Sequence, residues 1–145
     1  MEDQQRLQQM VSELAAYRNQ AELLQQQVEA LQASLGELEV LKNTIDGMAG
    51  KDSVESLVPI GGGAFMEGEI KNTNHVVMSI GSGIAVKQTI DEAKETIDSQ
   101  SEELRETLDK TLGSLQQVTD VIAQLQPAAE KLSQNLQLDA QLSGQ

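Results

Sequence analysis

From Leu7 to Ile45 the chain keeps a seven-residue repeat of apolar side chains, and no other feature restricts the possible folds so tightly. With Leu7 at position a, the a positions are Leu7, Leu14, Ala21, Val28, Leu35 and Lys42. The d positions are Met10, Tyr17, Leu24, Leu31, Leu38 and Ile45. Eleven of these twelve are apolar or tyrosine, and only Lys42 interrupts the seam. A 3.5-residue period held over six heptads dictates a helix that buries a narrow stripe against another helix. Gly36 falls outside the stripe, where it costs about 1 kcal/mol of helix propensity relative to Ala but leaves the packing alone. The stripe ends in DGMAGKD, where Gly47 and Gly50 supply stop signals.

The last third of the chain carries a matching pattern. Thr89 and Glu92 form a T-x-x-E capping box, so a second helix starts near Ile90. Ile90, Ala93 and Ile97 follow one frame; Leu104, Leu108, Leu115, Val118, Ile122, Leu125, Ala129, Leu132 and Leu136 follow another. A four-residue insertion between Ile97 and Ser101 separates the frames, a stutter that unwinds a supercoil locally without ending it. Gly113 and Pro127 fall on outward positions, and Pro127, which removes a helix hydrogen bond, is expected to bend the helix. Each helix is about 45–50 residues, or roughly 70 Å, long. The chain returns between them, so the pairing is antiparallel, with partner numbers summing to about 137.

Between the helices the period changes from 3.5 to 2. Val58 and Ile60, then Ala64, Met66 and Ile70, then Val76, Met78 and Ile80, then Ile84 and Val86 mark four short strands sharing one apolar face. Glu67, Glu69, His75, Ser79 and Lys87 lie on the other face. Gly61–Gly63 and Gly81–Gly83 read as three-residue hairpin loops, because glycine supplies the left-handed backbone such loops need. Lys71–Asn74 joins the hairpins, and Pro59, lacking a ladder donor, belongs at an edge. The fold class is therefore α+β. Residues 1–50 form a first coiled-coil helix, 51–88 two β-hairpins for oligomerisation, and 89–145 a second helix with a frayed tail.

Composition agrees with a thin seam rather than a round core. The 145 residues are 39% apolar, yet the only aromatics are Tyr17 and Phe65. The net charge of −13 argues against nucleic acid and anionic membranes as partners, since both call for a basic surface. There is no cysteine, hence no disulfide or thiol chemistry. No apolar run approaches the roughly 20 residues of a membrane span. MEDQQRLQQ lacks the pattern of a signal peptide, so a cytoplasmic protein is expected.

No group of residues calls for a cofactor, a metal or catalysis. GSGIAVK lacks the third glycine of a kinase loop, and GGGAFMEGE lacks the Lys-Ser/Thr of a P-loop. Neither triplet runs directly into a helix whose N-terminus would hold a phosphate. His75 is the single histidine and has no second ligand at metal spacing. Glu67 and Glu69 read as wetting their strand face against wrong pairing. The eight acidic residues from Asp91 to Asp109 read as a solvated coil surface.

What the pattern does pose is an assembly problem. Two isolated hairpins are marginal in water, and four short strands cannot close a filled barrel, which takes about eight. The strands are therefore expected to pair with copies of themselves or with related chains, through Val58, Ile60, Ala64, Met66, Ile70, Val76, Met78, Ile80, Ile84 and Val86.

The order coil, two hairpins, coil resembles the prefoldin family across nearly the whole chain. HVVMSIGSGIAVKQTIDEA is the stretch that carries the local likeness, although Ile84, Ala85 and Lys87 stand where many prefoldins have aromatic and acidic residues. Two hairpins rather than one resemble the alpha class, and an acidic, undivided chain without cysteine resembles the archaeal form. The resemblance implies a hexamer of two alpha and four beta subunits whose hairpins build a double β-barrel. It implies ATP-independent capture of unfolded polypeptides at the coil tips and their transfer to a group II chaperonin. On this chain the tips would be Met1, Leu7, Met10 and Val11 with Leu132, Leu136, Leu138 and Leu142. Leu138 and Leu142 leave the heptad, while Leu7, Met10 and Leu132 could equally finish the seam. The alternative function is a coiled-coil tether that binds one specific folded partner.

Overall fold

A computed structural model describes residues 2–144. Helix α1 (Glu2–Met48) leads into strands β1 (Val54–Gly61), β2 (Ala64–Ile70), β3 (His75–Gly81) and β4 (Ile84–Thr89), and helix α2 (Ile90–Ser143) follows. The chain divides into two compact units. One joins residues up to Gln32 with those from Glu106 onward; the other spans Ala33–Arg105.

The first unit is purely helical. From residue 2 to residue 33, every position shielded from solvent is a heptad a or d position: 7, 10, 14, 17, 21, 24, 28 and 31. Within this unit Leu14 and Val28 are the most deeply buried residues of α1, and Val118 and Ala129 those of α2. Along α2 in this unit the shielded positions step by three and four through 108, 111, 115, 118, 122, 125, 129, 132 and 136, with 121 and 133 also shielded beside that row. Thr111 fills the one place in this row where the sequence shows no apolar residue. Its buried hydroxyl is satisfied locally, donating to the Thr107 carbonyl at 2.8 Å. Gly113 and Pro127 lie on the exposed side, and the helix continues through Pro127 without a break.

The second unit holds the core. Ile45, Met78, Ala93 and Ile97 form its buried centre, with Leu38, Leu41, Val76 and Ile90 packed around it. Ala93 and Ile97 are 0% and 1% exposed, so the second hairpin and both helices close over them. Ala93, Ile97 and Ser101 are buried at two successive four-residue steps, which is where the stutter was expected.

The elements end as their residues require. Gly50, at φ 78°, turns the chain out of α1, whereas Gly47 stays inside the helix. At the start of α2 the Glu92 N–H donates to Thr89 Oγ1 at 3.2 Å, and the Thr89 hydroxyl donates to Glu92 Oε1 at 3.1 Å. The expected capping box is thus formed, with its return bond made to the hydroxyl rather than to a backbone N–H. Between the hairpins the buried Thr73 hydroxyl donates to the Lys51 carbonyl and ties the connection to the loop after α1.

Each hairpin is its own two-stranded antiparallel sheet. Val58 pairs with Met66 and Val54 with Ile70 in the first; Met78 pairs with Val86 and Val76 with Gln88 in the second. The loops are shorter than the sequence reading. Gly61 and Gly81 belong to the strands as irregularities in the ladder, leaving two-residue turns at 62–63 and 82–83. Both turn residues have positive φ in each case: 59° and 81° at Gly62 and Gly63, 54° and 76° at Ser82 and Gly83. That backbone matches the right-handed twist of the flanking strands. A second correction concerns the faces: Leu57, Phe65 and Val77 are exposed on the side expected to be polar, so the hairpins do not have a single apolar face.

Three substitutions test the packing and the backbone separately. Ile97→Ala is expected to destabilise by about 2–5 kcal/mol, the range for emptying a fully buried aliphatic site, in urea or thermal unfolding. Glycine changes should have opposite signs by location. Gly81→Ala meets no neighbouring atom but sits at φ 102°, and should cost about 1–2 kcal/mol. Gly36→Ala, in open space on a helix, should add about 1 kcal/mol.

Candidate functional site

Three groups of residues could act outside the core: the helix ends, the hairpins, and the charges that align the helices. At the helix ends the shielded seam begins at Leu7 and finishes at Leu136. Leu7, Met10, Leu132 and Leu136 are half-buried in it. Val11, Leu138 and Leu142 lie off it and are 54%, 57% and 71% exposed. Leu138 and Leu142 are four residues apart on α2 and so share one side of the helix. Met1 lies outside the described residues.

The ten hairpin residues separate by environment. Met78 is 6% exposed and belongs to the chain's own core, and Val76 packs beside it. Val58, Ile60, Met66, Ile70, Ile80, Ile84 and Val86 are exposed, between 37% and 59%, and Ala64 is exposed as well. Sequence reasoning missed Leu57, Phe65 and Val77, which are 64%, 59% and 69% exposed. The apolar character and β-propensity of these three were readable, but they fall on the side that the alternation assigned to polar residues.

Two ion pairs cross between the helices. Lys42 Nζ lies 2.7 Å from Asp98 Oδ1, and Lys94 pairs with Asp46. Each pair of numbers sums to 140, which fixes the antiparallel register close to the sequence estimate. Lys42 is the one charged residue of the seam, and it reaches past the stripe to its partner rather than burying its charge. The hydrogen bond to the Asp46 carboxylate holds the Lys94 pKa above the usual lysine value, against a smaller opposing effect of desolvation. The charges of Asp46, Asp91 and Asp98 add to the increase.

A cleft of about 210 Å³, lined largely by Leu41, Ile45, Met48, Ile70, Val76 and Ile90, is apolar and smaller than pockets that hold small-molecule ligands. Among the described residues, no three His, Cys, Asp or Glu side chains are grouped to hold a metal ion. No described helix is long and apolar enough to cross a membrane.

Two long helices flanking two hairpins, with open strand edges and exposed apolar side chains, define the fold class of this chain. The family model for the prefoldin subunit matches residues 17–135, and the chain belongs to the prefoldin family. It is 50% identical over 133 residues to prefoldin subunit alpha of Methanobrevibacter smithii, covering 92% of this chain and 91% of that one. It is 34% identical over 132 residues to prefoldin subunit alpha of Methanosphaera stadtmanae, covering 91% and 95%. Both relatives are of the class that the two glycine turns pointed to. The filamentous PFD of Methanocaldococcus jannaschii, solved by cryo-EM, aligns with a TM-score of 0.55 at 24% identity. It covers 83% of this chain and 95% of that one, and shares the fold.

The ion pairs yield a pH prediction. Because the folded-state pKa of Lys94 is raised, its contribution is complete at neutral pH and is lost as pH climbs through that raised value. Lys94→Gln should therefore lower the melting temperature at pH 7, and the gap to the parent should close only in the alkaline range above the ordinary lysine pKa.

Proposed function

We propose that the chain is the alpha-type subunit of an ATP-independent holdase that captures unfolded polypeptides at the free end of its helix pair. One observation carries this reading: Leu138 and Leu142 remain exposed past the last seam position, and Val11 is exposed beside the first turns of the seam. Apolar side chains with no seam partner offer adaptable, unspecific contact, which suits clients with no structure in common. Several such ends acting on one extended client would gain avidity beyond the affinity of any single end.

The hairpins support the rest of the reading. Unpaired strand edges beside exposed Val58, Met66, Ile80 and Ile84 favour their completion by strands of other subunits. In this reading they form an intersubunit β-barrel within a cytoplasmic hexamer of two alpha and four beta subunits, and the captured client passes to a group II chaperonin.

The test is aggregation of a chemically denatured protein diluted into the assembled complex without nucleotide. Leu138→Ser combined with Leu142→Ser should weaken suppression about tenfold or more, given the transfer energy of two leucines. The oligomer mass should not change. Undiminished suppression by this double variant and by a chain lacking residues 128–145 would exclude the helix end as the capture site. Binding of one folded protein in preference to every denatured one would point to a tether instead.

A further inference from the structure

The two hairpins are a repeat with a step of twenty residues. Ile60 corresponds to Ile80, Gly61 to Gly81 and Gly63 to Gly83. The ladder irregularity recurs at the same place, between Pro59 and Gly61 and between Ser79 and Gly81. Each copy carries one methionine, paired across the strands with a valine: Val58–Met66 in the first hairpin and Met78–Val86 in the second. The two pairs occupy equivalent sites, with the methionine on opposite strands.

The surroundings of the two methionines differ. Met78 is 6% exposed, enclosed with Ile45, Ala93 and Ile97. Met66 is 59% exposed. Gly68 is the next residue on that face of β2, and it adds no side chain that would screen the Met66 sulfur. Among the described methionines Met66 alone is exposed, since Met10 and Met48 are half-buried. The chain has no cysteine, so thioethers are its only oxidisable sulfur.

We propose that Met66 is an oxidation site that controls assembly: a peroxide converts its thioether to the sulfoxide in the free subunit, and the sulfoxide bars the Val58–Met66 face from partner strands. This rests on the reading that strands of other subunits cover that face. In the reaction the sulfur lone pair attacks one peroxide oxygen, the O–O bond breaks and an S–O bond forms. The sulfur gives up two electrons, and the departing oxygen takes the proton and leaves as water or an alcohol. Susceptibility follows exposure, so Met66 reacts while Met78 is protected by the helices. The product carries a polar acceptor where an apolar contact is needed, and burying it without a donor is unfavourable. Once partner strands cover the face, the sulfur is out of reach. Assembled subunits are therefore resistant and only unassembled ones are blocked. Enzymatic reduction of the sulfoxide returns the apolar side chain.

The experiment treats the full-length chain with hydrogen peroxide, both alone and already assembled with a beta-type subunit. Peptide mass spectrometry reads each methionine. In the free chain Met66 should gain one oxygen about tenfold or more faster than Met78, its internal control. In the complex the Met66 rate should fall toward that of Met78. The oxidised chain, with its helical circular dichroism signal unchanged, should assemble about tenfold or more weakly in sedimentation over a dilution series, the scale of one unpaired polar group in a contact. Methionine sulfoxide reductases should restore assembly. Met66→Leu, a swap close in volume, should assemble like the untreated parent and continue to do so after peroxide. Equal rates at Met66 and Met78, assembly unaffected by oxidation, or a Met66→Leu chain that peroxide disables as it does the parent would each overturn the proposal alone. An untreated parent that fails to assemble would overturn the assembly reading, and the proposal with it.

Discussion

The apolar seam between two antiparallel helices is the contact on which the rest of this chain depends. A seam two positions wide offers each helix only its a and d residues, so each turn contributes one modest burial rather than a full core's worth. Leu14, Val28, Val118 and Ala129 are the deepest residues of the purely helical unit, and none is aromatic. Stability must then accumulate over length, and the register must be right along the whole run. The reciprocal pairs Lys42–Asp98 and Asp46–Lys94 meet that need. Exposed ion pairs stabilise little, but with lysine and aspartate interchanged between the helices, sliding by a heptad would separate both pairs together.

The junction with the hairpins is where the seam becomes three-dimensional. Ala93 has no side chain beyond Cβ, so it lets the second hairpin approach, and Met78 reaches into the space beside Ile45 and Ile97. The equivalent residue of the first hairpin, Val58, has no such cover and is 48% exposed. Two units of one repeat thus experience different surroundings within a single chain. The second hairpin is anchored by the helices, and the first has its apolar surface available for other chains.

How much of this could be read from the residues depends on whether the information was local. The heptad positions were legible because a 3.5-residue period reports burial directly, and the shielded positions of α1 fall on them. The capping box and the class-defining glycine turns were legible because their chemistry is short-range. Thr111 and Ser101 were not, because polar residues in a seam break the pattern that reveals it and are explained only by local hydrogen bonding or by the stutter. The burial of Met78 was not legible either, since nothing in an alternating strand says which hairpin the helices will cover. Among the contact candidates, Leu138 and Leu142 announced themselves by leaving the heptad phase. Leu57 and Phe65 were missed because alternation assigned their face to polar residues.

These observations divide the exposed apolar surface into two kinds with different physical demands. The hairpin residues sit on a backbone fixed by cross-strand pairing, so a partner meets a defined shape, and specificity follows from register and charge. Val11, Leu138 and Leu142 project from single helix faces with no fixed groove around them, and such a surface discriminates poorly among apolar partners. The proposed function, assembly with particular subunits together with acceptance of unrelated clients, calls for both kinds on separate elements. The high negative charge acts on both: it disfavours nonspecific collapse of one chain on another, so lasting contacts form only where apolar or basic groups offset it locally. The proposed specific assembly and promiscuous capture are therefore compatible in one sequence, with rigid strands assigned the first and the ends of a finished seam the second.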